Sequence, residues 1–195
     1  MKKALLLTAA LALTTSNAMA ASYFSKHVTN NQTTVDFSVN KYTLDLGGNA
    51  EETETGYKLA LEHKSYRNVG VEAGLETVDF DKDDILMARF GANMNLLSNY
   101  KEFDLKASLG IFSLDAGELS KSSLYAGLTF EGELVKNQLS GKVYTRYYDI
   151  KDNLYGRSQL GAQLNYHLNR NMNVFISSEK HGEFKSIGAG ISYKF

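Results

Sequence analysis

From residue 33 to the end, the chain is written in twos. Leu86, Ala88, Phe90, Ala92, Met94 and Leu96 alternate with Met87, Arg89, Gly91, Asn93 and Asn95. Phe103, Leu105, Ala107, Leu109 and Ile111 alternate with Asp104, Lys106, Ser108, Gly110 and Phe112. Leu124, Ala126, Leu128 and Phe130 share one parity, and Tyr125, Gly127, Thr129, Glu131 and Glu133 take the other. A period of two is that of a β-strand with two different faces. One face of these segments carries no charge, although Asp, Glu, Lys and Arg make up 22% of the chain and often occupy the very next position. The segments run to roughly 9–11 residues, the length a tilted strand needs to cross a bilayer, where soluble strands average ~5–6. A soluble sandwich would show the same alternation with its polar faces outward. Segment length and charge-free faces instead predict apolar faces against lipid, where Arg or Lys at mid-depth costs roughly 2–4 kcal/mol.

The last ten residues sharpen that expectation. Ile187, Ala189, Ile191, Tyr193 and Phe195 alternate with Ser186, Gly188, Gly190, Ser192 and Lys194. The stretch resembles the terminal strand of Gram-negative outer-membrane β-barrel proteins, which end in an aromatic residue after apolar residues at alternate positions. The resemblance implies that Ile191, Tyr193 and Phe195 form the signal read by the barrel-assembly machinery. At the level of class the chain is similar to small barrels of the OmpA/OmpX kind. In size and layout it is also similar to the YfaZ family, with no family-specific motif matched.

Residues 1–20 read as a cleaved signal peptide: Lys2 and Lys3, an apolar run from Ala4 to Leu13, then Ala18-Met19-Ala20 as the cleavage site. The run is too short to span ~30 Å of hydrocarbon. Export to the bacterial outer membrane is the expectation. Residues 21–32 have no clear period and read as a periplasmic lead-in, leaving 33–195 for the barrel. Without Lys2 and Lys3 the chain carries 19 basic and 22 acidic side chains, net −3, which argues against nucleic acid as a partner. The absence of Cys removes disulfides, thiol chemistry and thiolate metal sites. No long apolar run follows the signal, so a helical membrane protein is excluded.

Turn residues divide the barrel into ten strands, at about 33–46, 56–64, 69–78, 85–97, 102–113, 123–135, 138–149, 158–168, 172–180 and 185–195. Eight is the alternative, if two segments are loops. With the C-terminus in the periplasm, the outer connections are 47–55, 79–84, 114–122, 150–157 and 181–184, and most of the longer ones fall outside. The first strand changes phase: Val35, Phe37 and Val39 are odd, while Tyr42, Leu44 and Leu46 are even. A β-bulge near Asn40–Lys41 would return both halves to lipid and keep Lys41 out of it.

Chemistry is sparse. Asp79-x-Asp81-x-Asp83 begins like a calcium loop, but the EF-hand positions for Gly and Glu hold Ile85 and Phe90, so no metal site is expected. Acidic outer loops, with Glu51, Glu52, Glu54, Asp79, Asp81, Asp83 and Asp84, could share divalent cations with lipopolysaccharide phosphates. A barrel hydrolase is the alternative function. An omptin-like protease would draw on Asp81, Asp83, Asp149 and His181, and a lipid A deacylase would need a Ser two residues from a His, which His181-Gly-Glu183 lacks. The remaining content is lumenal. Alternation points Glu62, Glu72, Glu76, Asp104, Glu131, Glu133 and Glu179 inward with Lys58, Arg89, Lys106, Lys142, Arg146 and Lys194, beside Tyr125, Tyr144 and Tyr148. Such a balanced set predicts a paired network that fills the interior, with Arg89 and Arg146 as anchors for Glu72, Glu131 and Glu133, and Lys106 and Lys142 as further members. The expected protein is a non-enzymatic, cofactor-free monomer with a structural, surface-interaction or narrow-pore role, in contact with outer-membrane lipid and lipopolysaccharide.

Overall fold

The computed structural model describes residues 32–45, 51–66, 68–79, 84–100, 103–117, 119–150 and 156–195. The expected signal peptide and nearly all of the lead-in lie outside the described residues. The described residues form ten strands: β1 (Gln32–Asp45), β2 (Glu51–Tyr66), β3 (Val69–Asp79), β4 (Asp84–Tyr100), β5 (Phe103–Ala116), β6 (Leu119–Val135), β7 (Leu139–Tyr148), β8 (Ser158–His167), β9 (Met172–His181) and β10 (Phe184–Lys194). Each pairs antiparallel with its sequence neighbours, and β1 pairs with β10, so the sheet closes on itself. The described residues form a closed antiparallel ten-strand β-barrel, with no open edge. Following the expected orientation, we call the end bearing Gln32 and Phe195 the inner end and the opposite one the outer end.

Register places the odd and even residues on the faces read from the sequence. Leu109, Ile111, Leu124, Phe90 and Ile187 point outward and are more than half exposed. Tyr193 and Phe195 pack edge to face at 4.8 Å, and Phe103 stacks on Phe130 at 5.0 Å, giving the inner rim its aromatic girdle.

Three expectations need correction. No bulge interrupts β1 at Asn40–Lys41. Pairing with both neighbours runs unbroken through Asn40↔Gly188 and Lys41↔Ile187. Ser38, Asn40 and Tyr42 are consecutive lumenal positions, and the Asn40 amide donates to Ser38 Oγ at 3.1 Å and to Tyr42 Oη at 3.2 Å. Tyr42 and Leu44 are therefore buried inside, and Lys41 is exposed outside. The register shifts that do occur, at Lys64/Tyr66, Asn95/Leu97, Leu97/Tyr100 and Glu133/Val135, sit at the inner rim. Second, the long outer loop at 114–122 does not exist. β5 and β6 continue to Ala116 and Leu119, joined through 117–118 with Gly117 at φ 62. Third, Ile150 and Phe184, read as loop residues, are buried in the barrel's interior.

The faces can be tested by charge. Leu109→Arg and Ala126→Arg, directly opposite one another across β5 and β6, should each cost roughly 2–4 kcal/mol, whereas Ser108→Arg, one residue away and lumenal, should cost clearly less. Urea unfolding in lipid vesicles reads the difference, and equal costs on both faces would refute the register.

Candidate functional site: a lumen closed at one end

The interior is the one place where side chains from all ten strands meet. It has two chemically different halves. At the outer end, Tyr42 and Leu44 of β1 meet Val78, Ile85, Phe112, Leu114, Tyr125 and Tyr148, and Ile150 and Phe184 close over them. Leu114 has no exposed surface, and Val78, Tyr125 and Tyr148 are each 1% exposed. Phe112 and Tyr148 tilt together at 4.6 Å between ring centroids, and the His181 ring stacks on Tyr148 at 4.7 Å. These side chains pack together as a buried cap. Its driving force is ordinary hydrophobic burial, about 1.5–3 kcal/mol per large side chain, because the alternative for these residues is lumenal water and not lipid.

Below the cap the lumen is polar and ionised. Lys58 of β2 pairs with Glu179 of β9 and lies 3.8 Å from Glu76 of β3. Gln159 donates to Glu179 at 2.9 Å and accepts from Tyr148 Oη at 2.7 Å, tying this pair to the underside of the cap. Lys106 of β5 reaches Glu62 at 2.8 Å and Glu131 at 3.1 Å. Lys142 of β7 lies 3.8 Å from Asp36 of β1, an inward acid that belongs to the same set. Tyr125 Oη donates to Glu72 at 2.7 Å.

The arginines take a different part from the one expected. Among the described residues lysines make the ion pairs, and no arginine clamps a carboxylate. Arg146 lies over the Tyr144 ring at 4.5 Å and donates to Gln159 at 3.3 Å. Arg89 packs against Gly74, whose missing Cβ leaves room for the guanidinium. Glu72 sits in the positive field of both arginines without closing an ion pair with either. Glu133 lies nearer the inner rim, outside these pairs. The Nε atoms of Arg89 and Arg146 are buried and find no hydrogen-bond partner among the described residues.

Free volume inside the barrel tapers outward. A vestibule of about 230 Å³ lies at the inner end, lined by Asp36, Glu62, Lys106, Lys142 and Lys194 among others. It narrows to about 60 Å³ around Lys58, Tyr144 and Ser177, and to about 30 Å³ beneath Phe112, Tyr148 and Phe184.

Of the residues considered for hydrolysis, only His181 and Asp149 are among the described residues. His181 is buried in the cap, Asp149 is exposed, and Asp81 and Asp83 lie outside the described residues, as does His27. His63 is bonded to Thr33 at 2.8 Å and His167 to Asn173 at 2.7 Å. Among the described residues no three His, Cys, Asp or Glu side chains converge as a metal site, and the calcium-like run lies mostly outside them. The apolar cap is the feature sequence reasoning missed. Its signal was the run of large apolar residues at lumenal parity, Tyr42, Leu44, Val78, Phe112 and Leu114, all near outer strand ends.

No family model matches this chain, and no curated protein does. Solved barrels share its general shape. The attachment invasion locus protein Ail of Yersinia pestis is 13% identical over 85% of this chain and 99% of its own, with a TM-score of 0.42. The outer membrane protein OprG of Pseudomonas aeruginosa is 14% identical over 86% and 97%, with a TM-score of 0.46. The outer membrane phospholipase A of Escherichia coli is 12% identical over 82% and 89%, with a TM-score of 0.45. No residue role is taken from any of them.

Lys106 gives a direct test of the network. Lys106→Met should leave Glu62 and Glu131 repelling each other and destabilise the barrel by about 1–2 kcal/mol, less than the ~3–5 kcal/mol of a fully dry pair because both carboxylates keep some solvent contact. Adding Glu62→Gln and Glu131→Gln should recover most of that loss in the same unfolding experiment.

Proposed function

We propose that this protein is a non-enzymatic barrel of the bacterial outer membrane, with a lumen sealed on the cell-surface side and hydrated on the periplasmic side. In this reading it serves the envelope as a structural and surface-presenting element and not as an open pore. The observation that carries it is the cap. Ten buried side chains with large apolar surface close the outer end where a conducting pore needs a polar constriction. The ionic layer beneath supports the same reading. Lysines and carboxylates from facing strands meet across the lumen as salt bridges, whereas a selectivity ring presents one sign of charge.

The unmodified protein should show little or no step conductance in planar bilayers at low or high salt. Phe112→Ala with Tyr148→Ala should remove the stacked centre of the cap and produce discrete openings. Large, steady conductance in the unmodified protein would overturn the closed-lumen reading. A hydrolytic role predicts turnover of peptide or lipid A substrates that is lost in His181→Ala. Turnover that survives detergent purification and disappears in that variant would replace the present proposal.

A further inference from the structure

The outer surface of the barrel is not uniform around its circumference. Lys41, Lys180 and Lys185 all point outward and are exposed. They end the lipid-facing stripes of three successive strands, β1, β9 and β10, on the outer side. Lys180 and Lys185 are register partners, placed side by side, and Lys185 is opposite Thr43, two residues from Lys41. Among the described residues none of the three makes an ion pair. Like charges directly opposite one another weaken a strand pair, and an anion held between Lys180 and Lys185 would offset that repulsion.

A groove on the lipid-facing wall ends at Ile187, the register partner of Lys41. It has a volume of about 430 Å³ and an almost wholly apolar lining, with Gly132, Gly141, Ala162 and Ser178 as its floor and Phe130 and Ile187 on its sides. The register shows where it leads. One ladder row runs Phe130, Val143, Ala162, Ser178, Ile187 and ends on Lys41. The next row up contains Lys180 and Lys185. At ~4.8 Å per strand, the path from Phe130 on β6 to Lys41 on β1 is about 24 Å, and strand tilt turns it into a rise of roughly 15 Å, one leaflet of a ~30 Å hydrocarbon core. Two pairs of small register partners, Gly132↔Gly141 and Ala162↔Ser178 in adjacent rows, floor the groove, which is open to lipid and ends at Ile187.

We propose that this surface is a binding site for lipopolysaccharide. A lipid A phosphate sits among Lys41, Lys180 and Lys185, and an acyl chain lies along the groove floored by Ala162 and Ser178. Charge complementarity selects a phosphorylated lipid, and the position at the outer ends of the strands selects the outer leaflet. Acids stand on the rim above this arc as well as across the barrel: Asp45 and Glu51 lie opposite each other at the outer ends of β1 and β2, Glu183 is exposed in the β9–β10 turn, and Asp79, Asp84 and Asp115 face outward on β3, β4 and β5. The phosphate sits below these acids, at the height of the lysines. The site shares only the membrane orientation with the closed-lumen reading. It lies on the opposite face of the wall, and conductance does not report on it.

The test is native mass spectrometry of the purified protein after exchange with three lipids: bisphosphorylated lipid A, dephosphorylated lipid A, and phosphatidylglycerol. Heat-modifiable electrophoretic mobility shows that each variant is a folded barrel. Bisphosphorylated lipid A should be retained, and K41A/K180A/K185A should cut retention by at least about tenfold. Ala162→Phe, which fills the groove without touching a lysine, should also cut it several-fold, and dephosphorylated lipid A should be retained no better than by the triple variant. Equal retention in the triple variant or in Ala162→Phe would overturn the site, as would equal retention of phosphatidylglycerol. A lysine-dependent dimer lost in Asp79→Asn/Asp84→Asn/Asp115→Asn would assign the arc to a second copy of the chain instead.

Discussion

Every other feature depends on the pairing of β1 with β10. Within hydrocarbon an unpaired amide or carbonyl costs several kcal/mol, so a sheet that fails to close cannot stay in the membrane. Here the seam runs from Thr34↔Lys194 to Leu44↔Phe184, and the Phe195 amide adds a hydrogen bond to the Thr33 carbonyl at 2.9 Å. Closure fixes parity for the whole barrel, since a one-residue slip would turn every side chain to the other face. It also fixes which strand heights coincide. That decides that Lys106 meets Glu62 and Glu131, and that Lys41 stands at the head of the lipid-facing row through Ile187, Ser178 and Ala162.

The two faces of the wall answer to different solvents. Lipid is as apolar as the side chains it touches, so the outer face excludes charge but gains little from burial. Inside, the competing solvent is water, and the hydrophobic effect acts as it does in a soluble core. The cap is therefore a small soluble-type core set within a membrane protein, while the mid-lumen uses lysine–carboxylate pairs to fill space. Glycines opposite the bulkiest groups, such as Gly161 beneath Tyr144 and Gly74 beneath Arg89, let one strand give way where its neighbour projects.

Much of this was legible in the sequence. Alternation gave the ten strands, and the parity of Glu62, Lys106 and Glu131 placed them inside. Two things were misread for one reason. Tyr42 and Leu44 were assigned to lipid because an apolar residue in a membrane strand was assumed to face outward, and that assumption required a bulge. The lumen's apolar outer end makes their even parity regular and leaves Lys41 outside. The choice of lysine over arginine as the pairing cation was not legible. Pairing depends on strand stagger, which single-strand periodicity does not contain. The loop read at 114–122 failed because Leu114 and Ala116 continue the alternation on a face whose hydrophobicity had not been anticipated.

The central claim is that the barrel interior is wet from one end and sealed at the other. Because the chain has no Cys, one introduced thiol reports its own accessibility. Thr34→Cys lies half-buried in the inner vestibule, below the cap. A small, membrane-impermeant thiol reagent should modify it when the periplasmic side is opened and leave it unmodified when added to intact cells. Rapid modification from outside intact cells would show that the cap is permeable and would contradict the account.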